Sequence, residues 1–412
     1  MPLISQAAAS SGLPRLHDKP PLFSAVEVSG FKYTAVGQNT APLSATWVSG
    51  VCGGLASPCS GAETTRRLTV AHVGSSLVRA GIETWLKAVV KYSEQLSFSR
   101  CIATTPEFVD PELAGELGIP LVVGGREQVC DAARDCDVLL AWGPEELGDW
   151  LEECRPRLCL VMAHSESPTT RRILERCAPV ADLFVAVSGR VRDTVCAGLP
   201  SVTIPNGIDV AAIAPSRSRE ECRERLGFAA NDFVLGFVGR FSPEKRPELV
   251  IDAVHGLPPQ FKALMVGWGP LRGDLLEHAN DCLPGRCVFR VARGDVGDYY
   301  HAMDALCLPS REEGFGLVVL EAMFRECPVI ATAVGCVPDL IEDRVSGLVV
   351  DGTAESIAAA ANMLQSRPAW ARGLVAHART VADRHGHARA MVRQYEELIL
   401  GLWNRKFHDA PV

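Results

Sequence analysis

Two carboxylates flank a glycine turn in the second half of this 412-residue chain. Glu313 and Glu321 stand on either side of a Gly-Phe-Gly turn, which separates the apolar run Ala305–Leu308 from another that begins near Leu317. This order predicts a strand, a tight turn and a helix whose first turn offers unpaired N–H groups and a partial positive charge. Acidic residues are also ordinary helix starters, so the pair alone does not define a site.

A second group of polar residues lies upstream. The run Phe233–Arg240 has the pattern of a buried strand and ends in Gly239 and Arg240, and Ser242-Pro243-Glu244-Lys245 then opens a helix. Ligands of open α/β sheets bind at the carboxyl ends of the strands. The guanidinium of Arg240 and the ammonium of Lys245 suit a pyrophosphate. Together with the two glutamates, they predict a site for a ligand with many hydroxyls beside a phosphate, such as a nucleotide sugar.

Four motifs, in this order and spacing, resemble those of the retaining glycosyltransferases of the GT-B fold, specifically the large family 4 group (glycosyl transferases group 1). The resemblance covers about residues 67 to 405. The motifs are Pro205–Asp209, Val238–Arg246, Glu313–Gly316 with Leu320–Met323, and Ala331–Asp339. It implies an α/β protein with two Rossmann-like, doubly wound domains that face each other across a cleft. A C-terminal helix would cross back to the N-terminal domain.

The resemblance also implies roles for individual residues. Arg240 and Lys245 match the positions that bind the donor diphosphate, Glu313 the carboxylate beside the donor sugar, and His164 a histidine near sugar and acceptor. These four are the candidate catalytic residues. The candidate donor-binding residues are Gly81, Gly239, Gly314, Phe315, Gly316, Leu317 and Glu321. The candidate acceptor contacts are Arg79 and Glu83.

Two alternatives stay open for the catalytic residues. Glu313 has the chemistry of a nucleophile, but the resemblance favours front-face attack, in which the leaving phosphate takes the acceptor's proton. A lone histidine is more often structural than functional, although His164 follows a predicted strand. The chain departs from the family pattern at Ala80, where a second glycine is usual, and at Asp339, where a Glu is common.

Composition bounds the class of protein. The length favours two domains, and 47% hydrophobic with 22% charged residues is ordinary for a globular enzyme. A net charge of −8 argues against a general nucleic-acid binder. The 15 cysteines include no Cys-x-x-Cys, so we expect a reducing cytosol with neither a disulfide framework nor a zinc site. We also expect no signal sequence and no membrane span.

The alternation of apolar runs and helical patterns predicts the boundaries of four segments, and the resemblance implies the roles of the last three. Residues 1–66 are expected to be a flexible extension or a small β element, with a strand pair that turns near Gly30. Residues 67–205 are expected to form the acceptor domain, residues 206–387 the nucleotide-sugar domain, and residues 388–412 the helix that packs on the first domain.

The resemblance therefore implies a hexosyltransferase that needs neither metal nor cofactor. Its donor would be a UDP-, GDP- or ADP-linked sugar, and its acceptor a small molecule or a glycan. The alternatives are a catalytically silent protein of the same fold that binds a nucleotide sugar, and a sugar-nucleotide epimerase. The joint presence of Arg240, Lys245, Glu313 and Glu321 argues against a silent protein.

Overall fold

The computed structural model describes residues 26–28, 31–33, 66–77 and 81–408. The unit up to Cys59 contains two antiparallel strands, β1 (Val26–Val28) and β2 (Phe31–Tyr33). The rest of the predicted extension, and the predicted acceptor contact Arg79 with its neighbour Ala80, lie outside the described residues.

The first large sheet consists of parallel strands in the order β5-β4-β3-β6-β7-β8-β9. The strands are β3 (Leu68–Gly74), β4 (Leu96–Ala103), β5 (Leu121–Val123), β6 (Val138–Ala141), β7 (Leu158–Ala163), β8 (Leu183–Ala186) and β9 (Ser201–Thr203). The helices are α1 (Gly81–Tyr92), α2 (Pro111–Glu116), α3 (Arg126–Asp135), α4 (Leu147–Cys154), α5 (Pro168–Cys177) and α6 (Gly189–Val195). Strand β7 is buried at every position, as a parallel strand covered by helices on both faces requires. We call this sheet and its helices the first domain.

The second sheet is also parallel, in the order β12-β11-β10-β13-β14-β15. Its strands are β10 (Phe233–Arg240), β11 (Phe261–Trp268), β12 (Cys287–Arg290), β13 (Ala305–Leu308), β14 (Val329–Thr332) and β15 (Leu348–Val350). Its helices are α7 (Arg219–Leu226), α8 (Glu248–His255), α9 (Arg272–Cys282), α10 (Val296–Ala302), α11 (Leu317–Phe324), α12 (Val337–Leu340), α13 (Ala354–Ser366) and α14 (Pro368–His385). We call this part the second domain.

The strand order reverses once in each sheet, between β3 and β6 in the first and between β10 and β13 in the second. Such reversals open a crevice at the carboxyl ends of the strands, because the connections leave in opposite directions. Arg240 ends β10, and Glu313 follows β13. The fold therefore places both predicted site residues at the crevice of the second domain.

The last helix, α15 (Ala388–Phe407), packs on the first domain, as predicted. The ring of Tyr395 lies 5.5 Å from that of Trp85 on α1, centroid to centroid. The buried carboxylate of Glu396 accepts hydrogen bonds from the backbone N–H groups of Glu94 and Gln95, each at 2.6 Å. A side chain on the last helix thus provides the hydrogen-bond acceptor for two backbone N–H groups just after α1.

The expectation that the cysteines form no disulfide is wrong. Cys130 on α3 and Cys154 on α4 form a disulfide, with Cα atoms 4.9 Å apart. We expected no disulfides, and sequence spacing offers no sign of this one because the two half-cystines meet only when α3 and α4 pack side by side. Within the described residues there is no cluster of three or more metal-ligating side chains, and no helix long and apolar enough to cross a membrane.

Replacing Glu396 by Ala should destabilise the first domain by about 1–3 kcal/mol, because two backbone N–H groups lose a charged acceptor. Urea unfolding would measure the free energy. The matched control is Arg393→Ala, at an exposed position on the same helix, which we expect to cost less. Equal losses in the two variants would show that the Glu396 contacts do not hold α15 in place.

Candidate active site

The loop after β13 is held by hydrogen bonds to its backbone. The guanidinium of Arg246 donates to the carbonyl oxygens of Pro309 at 2.7 Å and Gly352 at 3.1 Å. The hydroxyl of Thr332, at the end of β14, donates to the carbonyl of Ser310 at 2.6 Å. Arg246 and Thr332 both belong to other segments of the second domain. Their hydrogen bonds therefore fix the backbone at the start of the loop, just ahead of Glu313.

Glu313 has both carboxylate oxygens engaged. Its Oε1 accepts from the hydroxyl of buried Ser310 at 2.8 Å, and its Oε2 lies 2.7 Å from Nζ of Lys245. The side chain of Glu313 is only 10% exposed, and that of Lys245 is 22% exposed. The structure therefore brings two of the four predicted catalytic residues into one ion pair, and the sequence analysis missed the third partner, Ser310.

The glycines of this loop are required by close approaches. A Cβ at Gly314 would overlap the carbonyl oxygen of His164 in the first domain. Gly316 has φ +90° immediately before α11, and Gly335 has φ +56°, a region that favours glycine. A Cβ at Gly335 would also overlap the carbonyl oxygen of Phe315. The predicted Gly-x-Gly turn thus lets the second domain touch the first.

Two helix starts meet across the cleft. Gly81 begins α1, and a Cβ there would lie 3.5 Å from Cδ1 of Leu317, which begins α11. Each start carries N–H groups without intrahelical acceptors, and each favours a negative charge nearby. Glu83, a predicted acceptor contact, is buried in the first turn of α1.

Glu321 lies on α11 with a partner that sequence analysis missed. The hydroxyl of buried Tyr300, on α10, donates to Oε2 of Glu321 at 2.7 Å. Burial raises the pKa of Glu321, and the hydrogen bond from Tyr300 opposes that rise. Burial and the neighbouring carboxylate raise the pKa of Tyr300 well above its usual value, so it remains a donor. The other carboxylate oxygen is available for a ligand's hydroxyls.

Arg240 is exposed at the end of β10. Gly239 precedes it, and a Cβ at Gly267 on the neighbouring strand β11 would overlap the carbonyl oxygen of Gly239. The two strand ends are therefore packed closely, and Arg240 projects from a fixed point at the rim of the crevice.

His164 follows β7 and belongs to a buried aromatic cluster. Its ring lies 5.6 Å from that of Trp85, which is also 5.6 Å from the ring of His72 on β3. Burial and the neighbouring His72 lower the pKa of His164 to about 3, and burial lowers that of His72 to about 4. Both imidazoles are neutral near pH 7, and Nε2 of His164 is buried without a hydrogen-bond partner among the described residues.

Side chains from both domains bond across the cleft near the Gly-x-Gly turn. The hydroxyl of Ser188 donates to the carbonyl of Gly314 at 2.8 Å. The backbone N–H of Gly189, at the start of α6, donates to the carboxylate of Asp339 at 3.2 Å. Burial raises the pKa of Asp339. The Asp that departs from the family pattern therefore faces the first domain rather than the donor loop.

A third cross-domain contact runs through Glu166. Its Oε1 accepts from the backbone N–H of Gly335 at 3.3 Å, and its Oε2 accepts from Nε of Arg190 at 2.6 Å. Arg190 also donates to the carbonyl of Ala333 at 3.3 Å. Sequence analysis did not single out Glu166 or Arg190, because their cross-domain partners, Gly335 and Ala333, lie 169 and 143 residues away along the chain.

Comparison with known proteins finds similarity over part of this chain. The profile of the family "Glycosyl transferases group 1" matches residues 218–379, which lie in the second domain. A D-inositol 3-phosphate glycosyltransferase of Kineococcus radiotolerans is 36% identical over 45% of this chain. The lipopolysaccharide core mannosyltransferase LpsB of Rhizobium meliloti is 31% identical over 53% of it. The chain spans 48% and 66% of these two relatives.

The fold extends beyond the matched domain. The crystal structure of Anabaena HepE in complex with UDP-glucose superposes with a TM-score of 0.73 at 23% identity, covering 81% of this chain and all of that one. A sucrose-phosphate synthase of Thermosynechococcus elongatus gives 0.66 at 20% identity, over 82% of this chain. The predicted GT-B fold, with two Rossmann-like domains, is confirmed.

The two buried histidines predict how stability depends on pH. In the unfolded chain both protonate near their ordinary pKa of 6.5, whereas in the folded protein they do so only near 4 and 3. The unfolded chain therefore binds more protons below pH 6.5, and stability falls with falling pH, by up to about 1.4 kcal/mol per pH unit for each histidine.

His72→Asn should remove the contribution of His72 to this pH dependence. The free energy of unfolding should then fall less steeply between about pH 6.5 and pH 4. Urea titrations across that range would measure it, with His377→Asn, at an exposed position on α14, as the control. Parallel pH profiles for His72→Asn and wild type would contradict the assignment of a neutral buried His72.

Proposed function

We propose that this protein is a retaining glycosyltransferase that moves a hexosyl group from a nucleotide diphosphate sugar to an acceptor hydroxyl. The observation that carries the proposal is the Lys245–Glu313 ion pair. It lies beside the start of α11 and next to Gly314, which meets the first domain at the carbonyl oxygen of His164. A sugar diphosphate needs cations, free N–H groups and a carboxylate within one cleft, and these residues supply all three.

The comparisons support the donor class. The superposed Anabaena protein was crystallised with UDP-glucose, and the curated relatives are named for glycosyl transfer to D-inositol 3-phosphate and for mannosyl transfer. Glu321, oriented by Tyr300, would bind the ribose hydroxyls through its remaining oxygen. The starts of α1 and α11 and the rim cation Arg240 would bind the diphosphate, in the place where a helix start favours anions.

The hydrogen bonding of Glu313 favours an orienting role over a nucleophilic one. Both of its oxygens are committed, to Lys245 and to Ser310, and a nucleophile would have to leave one of them. We propose that Glu313 positions the donor sugar and stabilises positive charge that develops on its ring. The leaving phosphate would then take the acceptor's proton as the acceptor attacks from the same face.

Positive charge for the departing nucleoside diphosphate would come from the protein itself. Lys245 and Arg240 are fixed cations whose attraction grows as negative charge builds on the leaving group, so they stabilise the transition state more than the bound donor. We therefore propose that transfer needs no metal ion. Neutral His164 would contact the donor sugar or the acceptor as a hydrogen-bonding group, with Glu83 and Arg79 as acceptor contacts in the first domain.

Lys245→Ala should cost roughly 2–4 kcal/mol of transition-state stabilisation, because a cation beside the leaving group is removed. That corresponds to a loss of about 30- to 1,000-fold in the rate of nucleoside diphosphate release. Release would be measured with UDP-, GDP- and ADP-sugars, with and without acceptor. Lys262→Ala, on β11, is the matched control.

Near-native turnover of Lys245→Ala would contradict the proposed site. Binding of a nucleotide sugar without release of diphosphate, with every acceptor tried, would favour a silent binding protein. Conversion of the donor to an epimer without release would favour an epimerase.

A further inference from the structure

A cysteine, a histidine and a carboxylate lie in line on two helices of the second domain. His278 and Cys282 are four residues apart on α9 and therefore share one face of the helix. The Sγ atom of Cys282 lies 3.6 Å from Nδ1 of His278. Nε2 of His278 lies 2.6 Å from the carboxylate of Asp252 on α8. This order of nucleophile, base and orienting carboxylate is the arrangement that activates cysteine in enzymes.

The carboxylate decides which nitrogen of the imidazole carries the proton. A carboxylate accepts only, so in neutral His278 the proton lies on Nε2 and is donated to Asp252. Nδ1 is then a free acceptor directed at the thiol of Cys282. The ring is thus held in the form that can take the thiol proton.

Cys282 is also accessible, unlike most cysteines of this chain. Of the free cysteines in the described part of the chain, all but Cys282 and Cys287 are buried. Burial raises the pKa of the Cys287 thiol to about 12, which suppresses its thiolate. The side chains of His278 and Asp252 are 37% and 39% exposed, so a small reagent can reach the group.

The position on the helix sets how the thiol reacts. Cys282 is the last residue of α9, and its backbone carbonyl lies 2.7 Å from Nδ1 of His255. The negative end of a helix disfavours a standing thiolate but favours a protonated imidazole. Nδ1 of His278 is placed to take the thiol proton during attack, and the helix end favours the imidazolium that results.

We propose that Cys282 is a modification site that exchanges with low-molecular-weight disulfides, with His278 as its general base and Asp252 as the group that orients His278. Sγ attacks one sulfur of the disulfide while the thiol proton moves to Nδ1 of His278. The S–S bond breaks, a mixed disulfide forms on Cys282, and the departing thiolate takes the proton from His278. Cys282 is oxidised and half of the reagent is reduced, so no further oxidant is needed.

The experiment uses the full chain and oxidised glutathione as the disulfide. Peptide mass spectrometry would locate the adduct, and its time course would give the rate. We expect the first adduct on Cys282, formed at least tenfold faster than on N-acetylcysteine under the same conditions. His278→Gln should slow that reaction at least tenfold, and Asp252→Asn should slow it severalfold, because each removes a partner without removing the thiol.

Cys282→Ser should abolish the fast adduct, and the matched control Cys287→Ser should leave it unchanged. Thermal unfolding would establish that each variant is folded. We expect all four to fold, because the substituted side chains are only partly buried. An adduct that forms first elsewhere, or a folded His278→Gln variant that reacts at the wild-type rate, would overturn the proposal. Neither outcome depends on glycosyl transfer, since none of the three side chains belongs to the proposed donor site.

Discussion

The approach of Gly314 to the carbonyl oxygen of His164 is the constraint on which the site depends. At that point the second domain touches the first with no room for a side chain on Gly314. The flanking turn enters α11 through Gly316, whose positive φ a larger residue would strain. The contact places the start of α11 beside the start of α1, so that one ligand can meet both helix ends.

The ion pair and hydrogen bonds of Glu313 lie directly beside this contact. Glu313, next to Gly314, is held in place by a hydroxyl and an ammonium from its own domain, whereas the backbone carbonyl of Gly314 is bonded by Ser188 of the other. A carboxylate that is mostly buried needs such partners, because an unpaired charge there would be costly. The same bonds that stabilise the loop also fix the direction in which Glu313 faces the cleft.

Prediction from sequence succeeded where local patterns carry the information. Apolar runs marked the strands, and glycine with proline marked the turns that place Arg240, Lys245 and Glu313 at strand ends. It failed where partners are distant in the chain, as for Tyr300 beside Glu321, the Cys130–Cys154 disulfide, and Asp339 facing Gly189, 150 residues away. No periodicity records such pairs, because they are created by the packing of whole helices.

The most direct test of this account is Gly314→Ala, compared with Gly273→Ala, where an added methyl has open space. Calorimetry would measure binding of the nucleotide sugar, and release of nucleoside diphosphate would measure transfer. The account predicts that Gly314→Ala binds the donor within severalfold of wild type but transfers at least about 100-fold more slowly, since a 1 Å misplacement can cost that much. Gly273→Ala should retain both properties. Full transfer activity in Gly314→Ala would contradict the claim that this contact assembles the site.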